Sequence, residues 1–169
     1  MLVVSNASPI LNLAIIGRLG LLRSQFGQVL IPPAVGAELR AEESLPGSDV
    51  VRQALADGWL RVVPLEDEPL VRALQVDLDQ GEAEAIGLAV RVGAKCVLFD
   101  EREARQRAKD MGLTVTGLLG VLLRAKLHGA IPSLGEEVNA LRSLAGFRIH
   151  DELVDTLLRE AGEEPGRKG

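Results

Sequence analysis

Aromatic side chains are almost missing from this chain, which has three Phe, one Trp and no Tyr, 2% of 169 residues. A surface that stacks bases on aromatic platforms is therefore not expected. There is one cysteine. Cys96 has no partner for an internal disulfide, and within the apolar run Cys96-Val97-Leu98-Phe99 it reads as a small buried hydrophobe, which suits a reducing cytoplasm. The two histidines, His128 and His150, are too far apart to form a local metal motif. The glycines spell neither a dinucleotide fingerprint nor a phosphate loop with Lys and Ser/Thr, which argues against a nucleotide-cofactor enzyme. The start carries no positive charge, and no run of about 18 apolar residues occurs, so neither secretion nor a membrane span is expected. Ser5 and Ser8 have no visible base near them, which argues against a serine nucleophile.

What is present is the profile of one globular domain, 47% hydrophobic and 25% charged. Lys+Arg 19 against Asp+Glu 24 leaves a net charge of −5. The bulk field pushes polyanions away, so a nucleic-acid partner would need local arginines or a bound cation.

The pattern alternates strands with helices. Leu2-Val3-Val4 reads as a strand and Ser8-Pro9 as the cap and first turn of a helix that runs to about Ile16, with Gly17 as its stop. Val29-Leu30-Ile31 repeats the strand, and Pro32-Pro33 launches a helix carrying Glu38. After a loop over 42–47, Ser48 is expected to cap a helix ending at Gly58. Leu60 to Val63 reads as a strand and 66–78 as a helix. Asp79-Gln80-Gly81-Glu82 has capping-box spacing before a helix, to Val92, that is apolar nearly all round. A strand over 94–99 follows, then a second capping-box spacing at Asp100-Glu101-Arg102-Glu103 with a helix to Met111. Leu113 to Thr116 is a further strand and 118–128 an apolar helix. Such alternation predicts parallel crossovers and a sheet covered on both faces. Residues 129–162, with a Ser133-capped helix to Leu144 and an amphipathic helix over 151–161, read as an extension of the same domain, and 163–169 as a mobile polar tail.

Parallel sheets bind ligands beyond the carboxyl ends of their strands, where Asn6 and Asp100 fall. Glu82 and Glu84, in the first turn of the apolar helix, must be paired, protonated or bound to a cation. Glu38 lies beside Val35 and Leu39, half sheltered. Plainer readings stand next to these: Asp79 and Asp100 as helix caps, Glu82 as the closer of its box, and Glu38 as part of a solvated face. Arg102, Arg105 and Lys109 recur at helical spacing after Asp100 and could lay a basic stripe for a phosphate backbone. The alternative is pairing of Glu101 with Arg105 and Glu103 with Arg107. Thr116, at a strand end, is a candidate hydrogen-bond partner of a metal-bound water.

Four segments taken together carry a resemblance: Val3-Val4-Ser5-Asn6-Ala7-Ser8-Pro9-Ile10, Ile31-Pro32-Pro33-Ala34-Val35-Gly36-Ala37-Glu38-Leu39, Gly81-Glu82-Ala83-Glu84-Ala85-Ile86, and Val97-Leu98-Phe99-Asp100-Glu101-Arg102. Their order over residues 1–128 resembles the PIN domains, including the VapC-like toxin nucleases. It is similar above all to a PIN-like branch with a Gly-Glu-Ala-Glu-Ala segment and a Val-Thr-Gly turn, here Val115-Thr116-Gly117. The resemblance implies a three-layer α/β/α sandwich around a short parallel sheet. It also implies one cleft, with Glu38, Glu82 and Asp100 in catalytic roles and Asn6, Glu82, Glu84 and Asp100 as metal ligands. Asn6 stands where the family usually has Asp, and an amide oxygen can coordinate but brings no charge.

The chemistry implied is hydrolysis of RNA phosphodiesters by an endoribonuclease using Mg²⁺ or Mn²⁺, hard cations that take carboxylate and water ligands. Crowded carboxylates repel, so without the cation some should hold protons. The resemblance further implies an antitoxin protein as a possible partner and a homodimer. The alternative is a PIN-like module, weakened by Asn6, that binds RNA or a protein.

Overall fold

A computed structural model describes residues 2–165. Those residues form two compact units, to Leu118 and from Leu119 on, and each is taken by itself. The first holds a five-stranded sheet in the order β3-β2-β1-β4-β5, every pairing parallel. The strands are β1 (Val3–Ser5), β2 (Val29–Ile31), β3 (Leu60–Val62), β4 (Cys96–Leu98) and β5 (Thr114–Thr116). The register sets Val3 opposite both Val29 and Cys96, and Cys96 opposite Thr114. From β1 the chain builds outward to β3 on one side and then to β5 on the other. The reversal puts a crevice at the carboxyl end of β1 beside β4, the general place for ligands in such sheets.

Helices cover the sheet because its strands are apolar on both faces, as the sequence pattern requires. Val4, Leu30 and Val97 point to one face and bury against α5 (Pro69–Leu74), α6 (Gln80–Val92) and α7 (Arg102–Asp110), with Ile86, Leu88 and Phe99 closed to solvent. Each such side chain contributes roughly 1.5–3 kcal/mol by its removal from water. Around the sheet run α1 (Ala7–Ile15), α2 (Gly20–Phe26), α3 (Pro33–Leu39) and α4 (Ser48–Asp57). The short helix α2 has no counterpart in the sequence reading, and α5 is shorter than the expected 66–78. Helix α6 is buried from Gly81 to Ala89, as its apolar surround predicts.

Capping differs from expectation at three points. Asn6, not Ser8, is the N-cap of α1, and Ser8 is the second residue of the helix. Gly47 caps α4, so Ser48 is its first residue and instead accepts a hydrogen bond from the Leu45 N–H at 3.1 Å. Glu101 precedes α7 with no side-chain cap, so the second capping box does not form. The first box does form: Asp79 accepts from the Glu82 N–H at 2.8 Å and Glu82 from the Asp79 N–H at 3.2 Å.

Helix α8 (Leu118–Leu127) starts at the end of the first unit and continues into the second, which also holds α9 (Leu134–Leu144) and α10 (Asp151–Glu160). Ser133 caps α9 as its spacing predicts. Glu163, expected in a mobile tail, instead accepts from the Leu134 and Gly135 N–H groups at 2.6 and 3.1 Å and from the Ser133 hydroxyl at 3.0 Å. Burial raises its pKa, and these bonds together with the Lys126 charge outweigh that and hold it below the ordinary value. The remainder of the expected tail, 166–169, lies outside the described residues. Among the described residues no helix is long and apolar enough to cross a membrane.

Candidate metal centre

Strand β1 delivers Asn6 to the crevice, where its N–H donates to the Leu98 carbonyl of β4 at 3.0 Å. The residue is 6% exposed, and Oδ1 is buried without any hydrogen-bond partner. An acceptor in that state costs about 1–3 kcal/mol unless something else satisfies it.

Glu38 reaches the same place from α3. The helix begins on Pro32-Pro33 and stops at Arg40, which adopts a left-handed conformation with φ 49°, so Glu38 occupies the last turn. Its carboxylate lies against Gly81, in the first turn of α6. A Cβ on Gly81 would overlap Glu38 Oε1 and would lie 3.4 Å from Asn6 Oδ1. Among the described residues Glu38 makes no hydrogen bond or ion pair. Its pKa is raised, first by burial of the carboxyl, then by the charges of Asp79 and Glu84.

The other expected ligands are held differently. Glu82 is buried and closes its capping box, as the plainer reading had it. Its pKa is raised by burial first, with Asp79, Glu101 and Glu103 adding to the rise and the Asp79 N–H opposing it. Buried Glu84 ties α6 to the start of α3, accepting from the Ala34 N–H at 3.0 Å and from Gln80 at 2.9 Å. Asp100 does cap a helix, but α8 and not α7. Its Oδ1 accepts from the Leu118 N–H at 2.9 Å and its Oδ2 from the Ser8 hydroxyl at 3.4 Å. Burial raises its pKa, against lowering by the Leu118 N–H, Ser8 and Arg105.

The four carboxylates expected to share one cleft, Glu38, Glu82, Glu84 and Asp100, make the separate contacts just described, and the charge of Glu84 reaches Glu38. Among the described residues no three His, Cys, Asp or Glu side chains form a group that could hold a metal. What converges is mixed, an amide oxygen and a carboxylate meeting at a glycine. Both are hard oxygen donors, both lack partners among the described residues, and the absence of a side chain at Gly81 is what lets Glu38 lie there. That donor set fits Mg²⁺ or Mn²⁺.

On the α7 side, Arg105 donates to the Phe99 carbonyl at 2.8 Å and lies near Asp100, so in place of the alternative Glu101–Arg105 pair it anchors the strand end. Arg107 pairs with Asp77 in place of Glu103. Arg102 and Lys109 are exposed on the same helix, and Thr116 is half-buried with its carbonyl accepting from the Phe99 N–H at 3.0 Å. Gly117 makes this corner possible, since a Cβ there would meet Arg105 Nη1 at 2.7 Å and Asp100 Oδ1 at 2.9 Å.

Sequence reasoning missed Ser8 as a partner of Asp100, and Gly81 and Gly117 as clearances. A glycine in the first turn of an otherwise helix-favouring segment weakens the helix with no local gain, and that was the signal available at Gly81. No curated protein matches the chain. The family model DUF3368, described as a PIN domain, matches residues 2–163. That span is nearly the whole chain, and its parallel sheet and crevice are those just described, so the chain belongs to the DUF3368 family of PIN domains.

Proposed function

We propose that the chain is a metal-dependent endoribonuclease whose divalent cation is held by Asn6 Oδ1 and Glu38, with Glu82, Glu84 and Asp100 shaping the surrounding charge. The observation that carries this reading is the partnerless pair at Gly81, a buried amide oxygen and a carboxylate at the ligand-binding end of a PIN-family sheet. Bound there, Mg²⁺ or Mn²⁺ would activate water and stabilise charge on the phosphate. The chain's own work is to accept and orient. Glu38 supplies the negative charge that would hold the cation, and Asn6 fixes the approach without adding charge.

The cleft beside Glu84, about 330 Å³ in volume, is lined by Glu66, Asp67 and Glu68 as well as Arg72, a mainly acidic wall that disfavours phosphate. An RNA backbone therefore runs over the α7 side, where exposed Arg102 and Lys109 supply contacts and Arg105 and Thr116 hold the crevice edge. A cytoplasmic setting, a homodimer and a toxin paired with an antitoxin are extensions of this reading.

A second reading has an observation of its own. The uncharged Asn6 favours a module that binds RNA or a protein with little catalysis. Single-stranded RNA incubated with wild type and Glu38→Gln, with Mn²⁺ or with chelator, separates the two. The nuclease cuts only as wild type with metal, whereas wild type that binds the RNA in millimolar Mn²⁺ without cutting it favours the binding module.

A further inference from the structure

A net charge of −5 repels an RNA backbone, so what draws one to the crevice must be a cation fixed there. We propose that this cation is Arg105, and that the free edge of its guanidinium binds a phosphate of the RNA backbone at the crevice; the inference rests on the ribonuclease reading above.

The guanidinium is held in place from one side. Its Nη1 donates to the Phe99 carbonyl at 2.8 Å. The preceding residue, Leu98, gives its own carbonyl to the Asn6 N–H at 3.0 Å. Arg105 is thus tied to the strand end one residue, or about 3.8 Å of chain, from the tie that holds Asn6. Gly117 leaves room for it, since a Cβ there would lie 2.7 Å from Nη1. The anchor uses Nη1 alone. Nε and Nη2, the side-on fork that matches two phosphate oxygens, make no hydrogen bond among the described residues. The buried side-chain polar atoms without a partner, among the described residues, are Asn6 Oδ1 and Arg107 Nε, so the Arg105 fork opens to solvent.

A half-buried arginine ordinarily has a carboxylate partner, and Arg105 forms no ion pair among the described residues. Asp100 feels its charge but spends its oxygens on the Leu118 N–H and the Ser8 hydroxyl. A sheltered cation without a counter-ion is left for an anion from outside. Arg107, two residues on in α7, is the contrast. Its Nη2 is taken by Asp77 at 2.5 Å and its Nε is buried, so its fork is closed. Arg102 and Lys109 are exposed and must give up side-chain freedom to bind, whereas the anchored Arg105 has given it up already.

The test is fluorescence anisotropy of a labelled single-stranded RNA with the full chain, in chelator and over a series of salt concentrations. A parallel incubation in millimolar Mn²⁺ reads cleavage, and circular dichroism establishes that each variant is folded. Arg105→Gln is expected to weaken binding about tenfold, the size of a hydrogen bond to a charged group. It should also reduce the slope of log affinity against log salt by about 0.7, one phosphate of a single strand. Arg105→Lys keeps the charge and a donor for the Phe99 carbonyl but not the fork, so it should keep the slope and lose about threefold in affinity. Arg107→Gln removes the same charge from the same helix and should stay within about twofold of wild type. Wild-type affinity and slope in Arg105→Gln overturn the inference, as do equal losses in Arg105→Gln and Arg107→Gln, which would assign binding to overall charge. Should the glutamine variant not fold, the lysine variant decides, and wild-type affinity there overturns the fork. Wild type that binds RNA through Arg105 but leaves it uncut in Mn²⁺ removes the nuclease reading and leaves the inference standing. Wild type that binds no RNA overturns both.

Discussion

Replacing Gly81 with Ala separates what the first turn of α6 does for the helix from what it does for the crevice. Gly81 has no positive φ, so its backbone does not need glycine. An alanine inside a helix is worth up to about 1 kcal/mol over glycine, and less in a first turn. Against that, the new methyl overlaps Glu38 Oε1, with Glu38 Cδ at 3.2 Å and Asn6 Oδ1 at 3.4 Å. The obstructing atom is the far end of a flexible side chain, so Glu38 swings aside at about 0.5–1.5 kcal/mol for an off-rotamer torsion. The two terms nearly cancel. The melting temperature in chelator should therefore stay within about 4 °C of wild type, since 1 kcal/mol is worth roughly 2–4 °C in a domain of this size. Metal response should not survive. A ligand at 100 times its dissociation constant adds about 2.7 kcal/mol, or roughly 5–10 °C. Thermal melts with and without Mn²⁺ should reveal that shift in wild type and less than about 2 °C of it in Gly81→Ala. A full wild-type shift in the alanine variant would refute the placement of the centre at Gly81.

Gly117→Ala should be destabilising, because its methyl meets the fixed Phe99 carbonyl at 3.2 Å as well as Arg105 and Asp100. Loss of the Arg105 or Leu118 hydrogen bond should cost about 1–3 kcal/mol, read as a lower urea midpoint. In chelator, stability should fall as pH rises above the ordinary carboxylate values of 3.8 for Asp100 and 4.5 for Glu38 and Glu82, whose folded pKa values are all raised. Between the ordinary and raised values the folded state binds more protons than the unfolded one, so the slope is negative there and flat above. Urea titrations across that range with and without Mn²⁺ should reveal the slope in chelator and its reduction by metal. Glu163→Gln should lower stability by about 1 kcal/mol at neutral pH, since an anion at the head of α9 is lost, and an unchanged urea midpoint would deny the clasp.

The strands themselves and the buried helix were legible because both rest on local periodicity, runs such as Val29-Leu30-Ile31 and the apolar surround of Ile86. The helix caps were less so. Ser8 followed by Pro9 has the local signature of an N-cap, yet the chain turns two residues earlier, at Asn6, because that N–H is taken by Leu98 across the sheet. Asp100 has the spacing of a capping box for α7 but spends its oxygens on Leu118 and Ser8, partners distant in sequence that only the assembled sheet brings near. The same limit applies to the centre. Its residue types were visible, but a partnerless Asn6 and a Glu38 resting on Gly81 are properties of packing between α3 and α6, which no spacing within one segment encodes.

The central claim is tested most directly by locating the ion. Crystals soaked in Mn²⁺ and measured with X-rays near the manganese absorption edge should give an anomalous peak at about 2.0–2.6 Å from Asn6 Oδ1 and from a Glu38 carboxylate oxygen, the range for hard cations on oxygen. A peak bound instead by Asp100 and Glu82, with Asn6 Oδ1 outside coordination distance, would contradict the account.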